Sequence, residues 1–259
     1  MNLEKLKRAG IITIPSLFTI GNIGCGFFSI LCSVSGNFSK AGWLILIAMF
    51  LDGFDGRVAR LLKAESAFGV EMDSLADLIS FCTAPALLIY FFALKEIPVW
   101  GQAIACMFVL FGAIRLAKFN VLAHSGKGSK KYFSGLPTPA AALVLVSFVL
   151  SYNIFAYDAN GHILPFMKVL LPYVYSAIAF ITIGLALLMV STVPYAAFKE
   201  KRNPAEKRKG FVGRLVLIAI ILFLFFKYPQ DVIFIVFGLY ALMGIIMVFV
   251  RAFIKKEDK

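Results

Sequence analysis

The stretch that decides the fold reads Asp52-Gly-Phe-Asp55-Gly56-Arg57-Val-Ala59-Arg60, then eight residues, then Gly69-Val-Glu-Met-Asp73-Ser-Leu-Ala-Asp77. Four aspartates recur at helical spacing inside segments that are otherwise apolar. A charged group near the bilayer centre costs roughly +2.5–3.5 kcal/mol on insertion scales, so acids in such segments point to function. Asp52, Asp55 and Ala59 stand at i, i+3 and i+7, which is one face of a helix. Gly69, Asp73 and Asp77 stand at i, i+4 and i+8, again one face. Two such helices packed as an antiparallel hairpin bring the four carboxylates together.

The surroundings of that stretch fix the class of protein. The chain has 259 residues, 61% of them hydrophobic, and a mean hydropathy of +0.88. Soluble domains run at about 45–50% apolar. A membrane span needs about 20 largely apolar residues. Eight segments qualify: 12–34, 42–62, 73–94, 98–121, 137–157, 169–192, 212–228 and 231–252. The expected fold is an all-α polytopic membrane protein. Residues 1–11 form a basic amphipathic lead-in, 12–197 the catalytic unit, 198–211 a charged linker, and 212–259 two added spans with a basic tail. The first apolar segment is too long, and wrongly flanked, for a cleaved signal peptide. The Gly/Ser/Lys-rich stretch 122–136 reads as a mobile loop.

Basic residues set the orientation. With the N-terminus inside, only Lys40, Lys95, Lys168 and Lys227 of the 26 Lys and Arg fall on the outer side. Both termini and the aspartate run are then cytoplasmic. The net charge of +12 is explained by these inner loops, which attract anionic headgroups. No folded soluble module is present to carry nucleic-acid binding. Cys25, Cys32, Cys82 and Cys106 all lie within apolar segments without a C-x-x-C pair, so they read as small hydrophobes. His124 and His162 fall on opposite sides and cannot share a metal. Glu65 and Glu71 flank the aspartates as solvated side chains. The 27 phenylalanines serve lipid contact and packing.

Hard carboxylate oxygens suit Mg²⁺, Mn²⁺ or Ca²⁺, and Mg²⁺ or Mn²⁺, as one ion or two, is the expected cofactor. Asp52, Asp55, Asp73 and Asp77 are the expected ligands. Gly56, Ala59 and Gly69 are small where bulk would block a bound group, and Arg60 can pair with a phosphate. Such a site suits displacement at phosphorus. Asp77, at the end of the run, is the expected general base on an incoming hydroxyl.

The pattern D-G-x-x-A-R-x8-G-x3-D-x3-D, with an upstream acid at Asp52, resembles the signature of the CDP-alcohol phosphatidyltransferase family. The resemblance implies a six-helix core, to which the last two spans are then an appended pair, and with it a homodimer, a metal site open to the cytoplasm and a CDP-lipid donor that loses CMP. Three further stretches resemble the branch that takes L-serine with CDP-diacylglycerol. They are Phe111-Gly-Ala-Ile-Arg115-Leu-Ala-Lys118-Phe-Asn120-Val, Phe133-Ser-Gly-Leu-Pro-Thr-Pro-Ala140 and Leu188-Met-Val-Ser-Thr-Val-Pro-Tyr195. That branch often has Arg at the position of Lys118. Arg115, Lys118 and Asn120 are then the expected serine contacts, against a plainer reading in which the two cations snorkel to the interface. Thr19 and Asn22, at i and i+3 after Pro15, are the expected donor contacts, against a reading as helix-packing residues. Rival readings are another acceptor, such as glycerol 3-phosphate or inositol phosphate, an archaeal ether-lipid donor, or a cation-coupled transporter. A transporter would carry acids at mid-membrane on several helices; here they cluster at one end.

Overall fold

The computed structural model describes residues 3–61, 67–124, 132–156, 165–196 and 228–257. These form helices α1 (Leu3–Val34), α2 (Phe38–Leu61), α3 (Ala67–Asp77), α4 (Ala84–Phe92), α5 (Trp100–His124), α6 (Thr138–Ala156), α7 (Pro165–Val190) and α8 (Pro229–Glu257). A π-helical segment, Leu78–Thr83, joins α3 to α4, and a single 3₁₀ turn, Leu94–Glu96, follows α4.

Among the described residues, four apolar runs are long enough to cross a membrane: Leu17–Val34, Phe68–Phe92, Trp100–Leu122 and Tyr173–Val190. Thr138–Tyr152 and Gln230–Gly244 are shorter apolar helices. Helix α2 has 24 residues but carries Lys40, Asp52, Asp55 and Arg57 along them. The expected span 212–228 lies, but for Tyr228, outside the described residues. The chain is thus a helical, membrane-integral protein. Its outward side chains fit that solvent: Phe27, Phe28, Phe50, Phe180 and Leu187 are exposed, as lipid-facing residues are.

The interior is a single apolar cluster. Phe81, Phe108, Leu136, Leu145 and Ile178 are fully buried within it. Helices α1 and α2 pack as an antiparallel pair, pinned where Ser29 Oγ donates to the Ala41 carbonyl at 2.9 Å. The π-helical turn has a local cause. Pro85, at the start of α4, has no N–H to donate and crowds the preceding turn. The Ala84 N–H instead reaches back five residues to the Ile79 carbonyl. The widened turn buries Ser80, Phe81 and Cys82, and it begins one residue after Asp77. Turns of this kind recur at functional sites.

The expected loop over 122–136 is corrected at both ends. Helix α5 continues to His124. Residues Tyr132–Ser134 form strand β1, which pairs antiparallel with β2 (Pro194–Ala196). The two stretches that pair are two of the three singled out above for their resemblance. Gly135, directly after β1, has φ +83°, and a side chain there would meet the carbonyl oxygens of Met189 and Ser191. Glycine alone suits both demands. Its N–H binds the Val193 carbonyl at 2.8 Å, and Leu136 N–H binds the Leu188 carbonyl at 3.0 Å. The ribbon thereby ties the start of α6 to the end of α7.

Candidate metal and acceptor site

The site lies where α2 and α3 meet the midpart of α1 and the last turns of α5. Asp52 and Asp55 project from α2, Asp73 and Asp77 from α3. One carboxylate oxygen from each of Asp52, Asp55 and Asp73 lies within 4.8 Å of the others. Asp77 stands outside that tight triad, with its carboxyl in hydrogen-bonding reach of Asp52. Helical spacing alone gives the four aspartates equal standing as ligands; the geometry separates them into three and one.

Helix α1 supports the triad from behind. Thr19 Oγ1 donates to Asp55 Oδ2 at 2.7 Å, and both residues are buried. Phe18 stacks on Phe54 with ring centroids 6.4 Å apart, which fixes α1 against α2 beside that bond. Asn22, one turn on, is fully buried, and neither its amide oxygen nor its nitrogen has a hydrogen-bond partner. Its backbone carbonyl accepts from Ser80 Oγ at 2.9 Å, so α1 is also tied to the π-helical turn. The Thr19 hydroxyl therefore orients a carboxylate, while the Asn22 amide keeps its capacity for a bound group.

The residues chosen for smallness sit as follows. A methyl group added at Gly56 would meet nothing within 4 Å, so space is open beside Asp55. Gly69 lies one turn before Asp73 on α3. Ala59 and Arg60 fall in the last turn of α2, and their side chains lie outside the described residues.

Helix α5 supplies the opposite side. Phe108, Gly112 and Arg115 share its inward face at i, i+4 and i+7. Arg115 lies within electrostatic range of Asp77, and its Nη1 donates to Thr138 Oγ1 at 3.1 Å. Its Nε is buried without a partner. Asn120 Nδ2 donates to Ser74 Oγ at 2.9 Å, which places it beside the aspartates of α3. Lys118 is exposed and is not gathered with the other two. Thr138 and Ser74 carry no signal in the sequence that marks them for the site. Thr138 lies within a quoted stretch, but its partner is 23 residues away in sequence, and nothing local points to it.

The donor set fits a divalent cation. Three hard carboxylates converge, and Asp73 Oδ1 and Asp77 Oδ1 are buried without a hydrogen-bond partner. Buried anionic oxygens in that condition call for a cation.

A family model described as CDP-alcohol phosphatidyltransferase matches residues 12–174, and the chain belongs to that family. The family is one of divalent-metal-dependent enzymes, in keeping with the aspartate triad. Among its relatives, the chain is 39% identical over 234 residues to the CDP-diacylglycerol–serine O-phosphatidyltransferase of Helicobacter pylori (strain ATCC 700392 / 26695), covering 90% of this chain and 89% of the relative. It is 36% identical over 187 residues to the enzyme of the same name from Bacillus subtilis (strain 168), covering 72% and 92%. It is also 36% identical over 191 residues to an archaetidylserine synthase from Methanothermobacter thermautotrophicus, covering 73% and 72%.

Proposed function

We propose that this chain transfers the phosphatidyl group of CDP-diacylglycerol to the hydroxyl of L-serine, giving phosphatidylserine and CMP. The observation that carries the reading is the identity of 39% across 90% of the chain to a relative named for that reaction. The aspartate site is consistent with its chemistry.

Asp52, Asp55 and Asp73 would hold the divalent ion, Mg²⁺ or Mn²⁺, with Asp77 as a further ligand where two ions bind. When bound, such an ion polarises the donor phosphate and offsets charge on the leaving group. The protein's own residues do the rest. Thr19 holds Asp55 in one orientation. Asn22 and the open space at Gly56 receive the polar part of the donor, with Ala59, Arg60 and Gly69 along its edge, while the acyl chains stay in lipid. Arg115 binds the serine carboxylate, and Asn120 supplies a neutral hydrogen bond. Asp77 accepts the proton of the serine hydroxyl. The serine oxygen then bonds to the phosphorus that bears diacylglycerol. The bond from that phosphorus to the bridging oxygen breaks, and CMP departs with the bonding pair. A general base contributes roughly 10²–10⁴-fold to such a step.

The basic loops support an inner-membrane protein with both termini and the site on the cytoplasmic side. We take 12–197 as the catalytic core and 212–259 as an added pair of spans. The family resemblance supports a homodimer. An ether-lipid donor is a second reading, favoured by the similarity to an archaetidylserine synthase.

An acceptor panel tests the proposal. The protein in membranes receives CDP-diacylglycerol or its ether analogue, Mn²⁺ or Mg²⁺, and serine, glycerol 3-phosphate or inositol phosphate in turn. Serine-dependent CMP release is expected. Release with a phosphorylated alcohol alone would overturn the serine assignment while leaving the family intact.

A further inference from the structure

Helix α5 returns alongside α4 and the π-helical turn in the opposite direction. Gln102 Nε2 donates to the Tyr90 hydroxyl at 3.3 Å, and further along a side chain at Gly112 would collide with Cys82 Sγ. Arg115 stands three residues beyond Gly112, and Asp77 five residues before Cys82. At 1.5 Å per residue both fall within about 8 Å of that close approach, on the same side of it. Arg115 is thus set at the level of the aspartates by packing.

Gly112 also shows how Thr138 sits. A methyl group added at Gly112 would lie 3.9 Å from Cγ2 of Thr138, so the threonine methyl faces α5. Thr138 is fully buried and is the first residue of α6. The backbone just before it is tied down where Leu136 N–H meets the Leu188 carbonyl at 3.0 Å. A β-branched side chain is stiff about its first torsion. With its methyl toward Gly112, its hydroxyl oxygen accepts from Arg115 Nη1 at 3.1 Å.

That bond leaves a defined part of the guanidinium unused. Nη1 lies on the Cδ side of the plane, and the opposite edge carries the Nε and Nη2 donors. Nε is buried and has no partner among the described residues. A buried donor on a charged group is costly to leave unpaired, and two parallel N–H donors on one edge match the two oxygens of a carboxylate. Holding Nη1 stops the plane from turning about the Cδ–Nε bond, so the unused edge keeps one direction.

We propose that Thr138 is a positioning residue: by holding Nη1 it presents the Nε–Nη2 edge of Arg115 to a carboxylate on the acceptor. It thereby favours acceptors that carry a carboxylate beside the hydroxyl. The inference rests on the reading of Arg115 as the serine-carboxylate contact.

The test is a double-mutant cycle on the full-length protein in membranes, following CMP release. Thr138→Val keeps the shape and the methyl but removes the accepting oxygen. It is expected to raise KM for serine at least about tenfold, the worth of one hydrogen bond to a charged group. The KM for CDP-diacylglycerol and kcat at saturating serine should stay near their wild-type values. Thr138→Ser restores the oxygen and should bring serine KM most of the way back. Arg115→Lys, whose ammonium has no planar edge, should raise serine KM by itself, and adding Thr138→Val to it should raise it no further. An unchanged serine KM in Thr138→Val would overturn the proposal. So would an equal rise in both backgrounds, because the two residues would then be independent. A failure of Thr138→Ser to recover affinity, or a fall in kcat joined to a rise in both KM values, would assign Thr138 a structural role only and overturn it too. An Arg115→Lys variant with wild-type serine KM would instead overturn the reading of Arg115, and wild-type protein without serine-dependent turnover would overturn the functional reading itself.

Discussion

The carboxylate side of the site comes from the consecutive residues 52–77, whereas the facing side draws Arg115 and Thr138 from two separate helices. On the first side, one hairpin sets the geometry, and α1 braces it through the bond from Thr19 to Asp55. On the second, Arg115 is held by Thr138, and the two meet only because α5 and α6 pack together. The difference implies a division of labour. The hairpin serves the donor and the bond-breaking step, which every acceptor shares. The α5–α6 side meets whatever the acceptor carries besides its hydroxyl. Substitutions on the two sides should therefore fail in different ways.

The largest effect separates the three-and-one arrangement of aspartates. Asp77→Asn should lower kcat by about 10²–10⁴-fold, the range for loss of a general base, at any metal concentration. Asp73→Asn should also be severely impaired, but part of its activity should return as Mn²⁺ is raised, since it loses a ligand rather than the base. Titrating the metal against CMP release for both variants decides this. Rescue of Asp77→Asn by Mn²⁺ to a tenth of wild-type kcat would make Asp77 an ordinary ligand and erase the distinction.

An intermediate effect is expected behind the triad. Thr19→Val removes the hydroxyl that orients Asp55 and leaves a side chain of similar shape. Loss of an outer partner of a metal ligand typically weakens metal affinity about 10–100-fold. The metal activation curve should shift by that factor while kcat at saturating metal recovers, and Thr19→Ser should behave nearly as wild type. A curve that does not move, joined to a higher KM for CDP-diacylglycerol, would return Thr19 to the role of a direct donor contact.

These two sides also differ in how far the sequence reveals them. Helical periodicity is a local signal, so spacings of three and four suffice to place Asp52 with Asp55 and Asp73 with Asp77. The partition of Asp77 from the triad depends on how α3 crosses α2, and no spacing encodes that. Arg115 is legible as a cation at the end of an apolar segment. Its bond to Thr138 is not, because the register of α6 is set by the β1–β2 ribbon and by Gly135, which close a long separation in sequence. The π-helical turn likewise has a readable cause in Pro85, but its extent depends on the packing of Ser80 against α1.

Lys118 gives the smallest expected effect and the finest test of the comparison. It stands three residues beyond Arg115, so the two side chains are neighbours in sequence and equal in charge. They differ in surroundings: Arg115 is gathered with Asp77 and Thr138, and Lys118 is exposed. A solvated cation interacts with a passing carboxylate through a high dielectric, which is worth about 0–1 kcal/mol, or roughly fivefold in KM at most. Lys118→Gln should therefore raise serine KM by less than that, and the rise should fade between low and physiological salt because the screening length shortens from about 30 Å to about 8 Å. Arg115→Gln should raise it far more, with little dependence on salt, because its charge is largely enclosed. A tenfold, salt-insensitive loss in Lys118→Gln would move acceptor recognition from the enclosed side of the site to its rim. The division of labour between the two sides would then have to be redrawn around the end of α5.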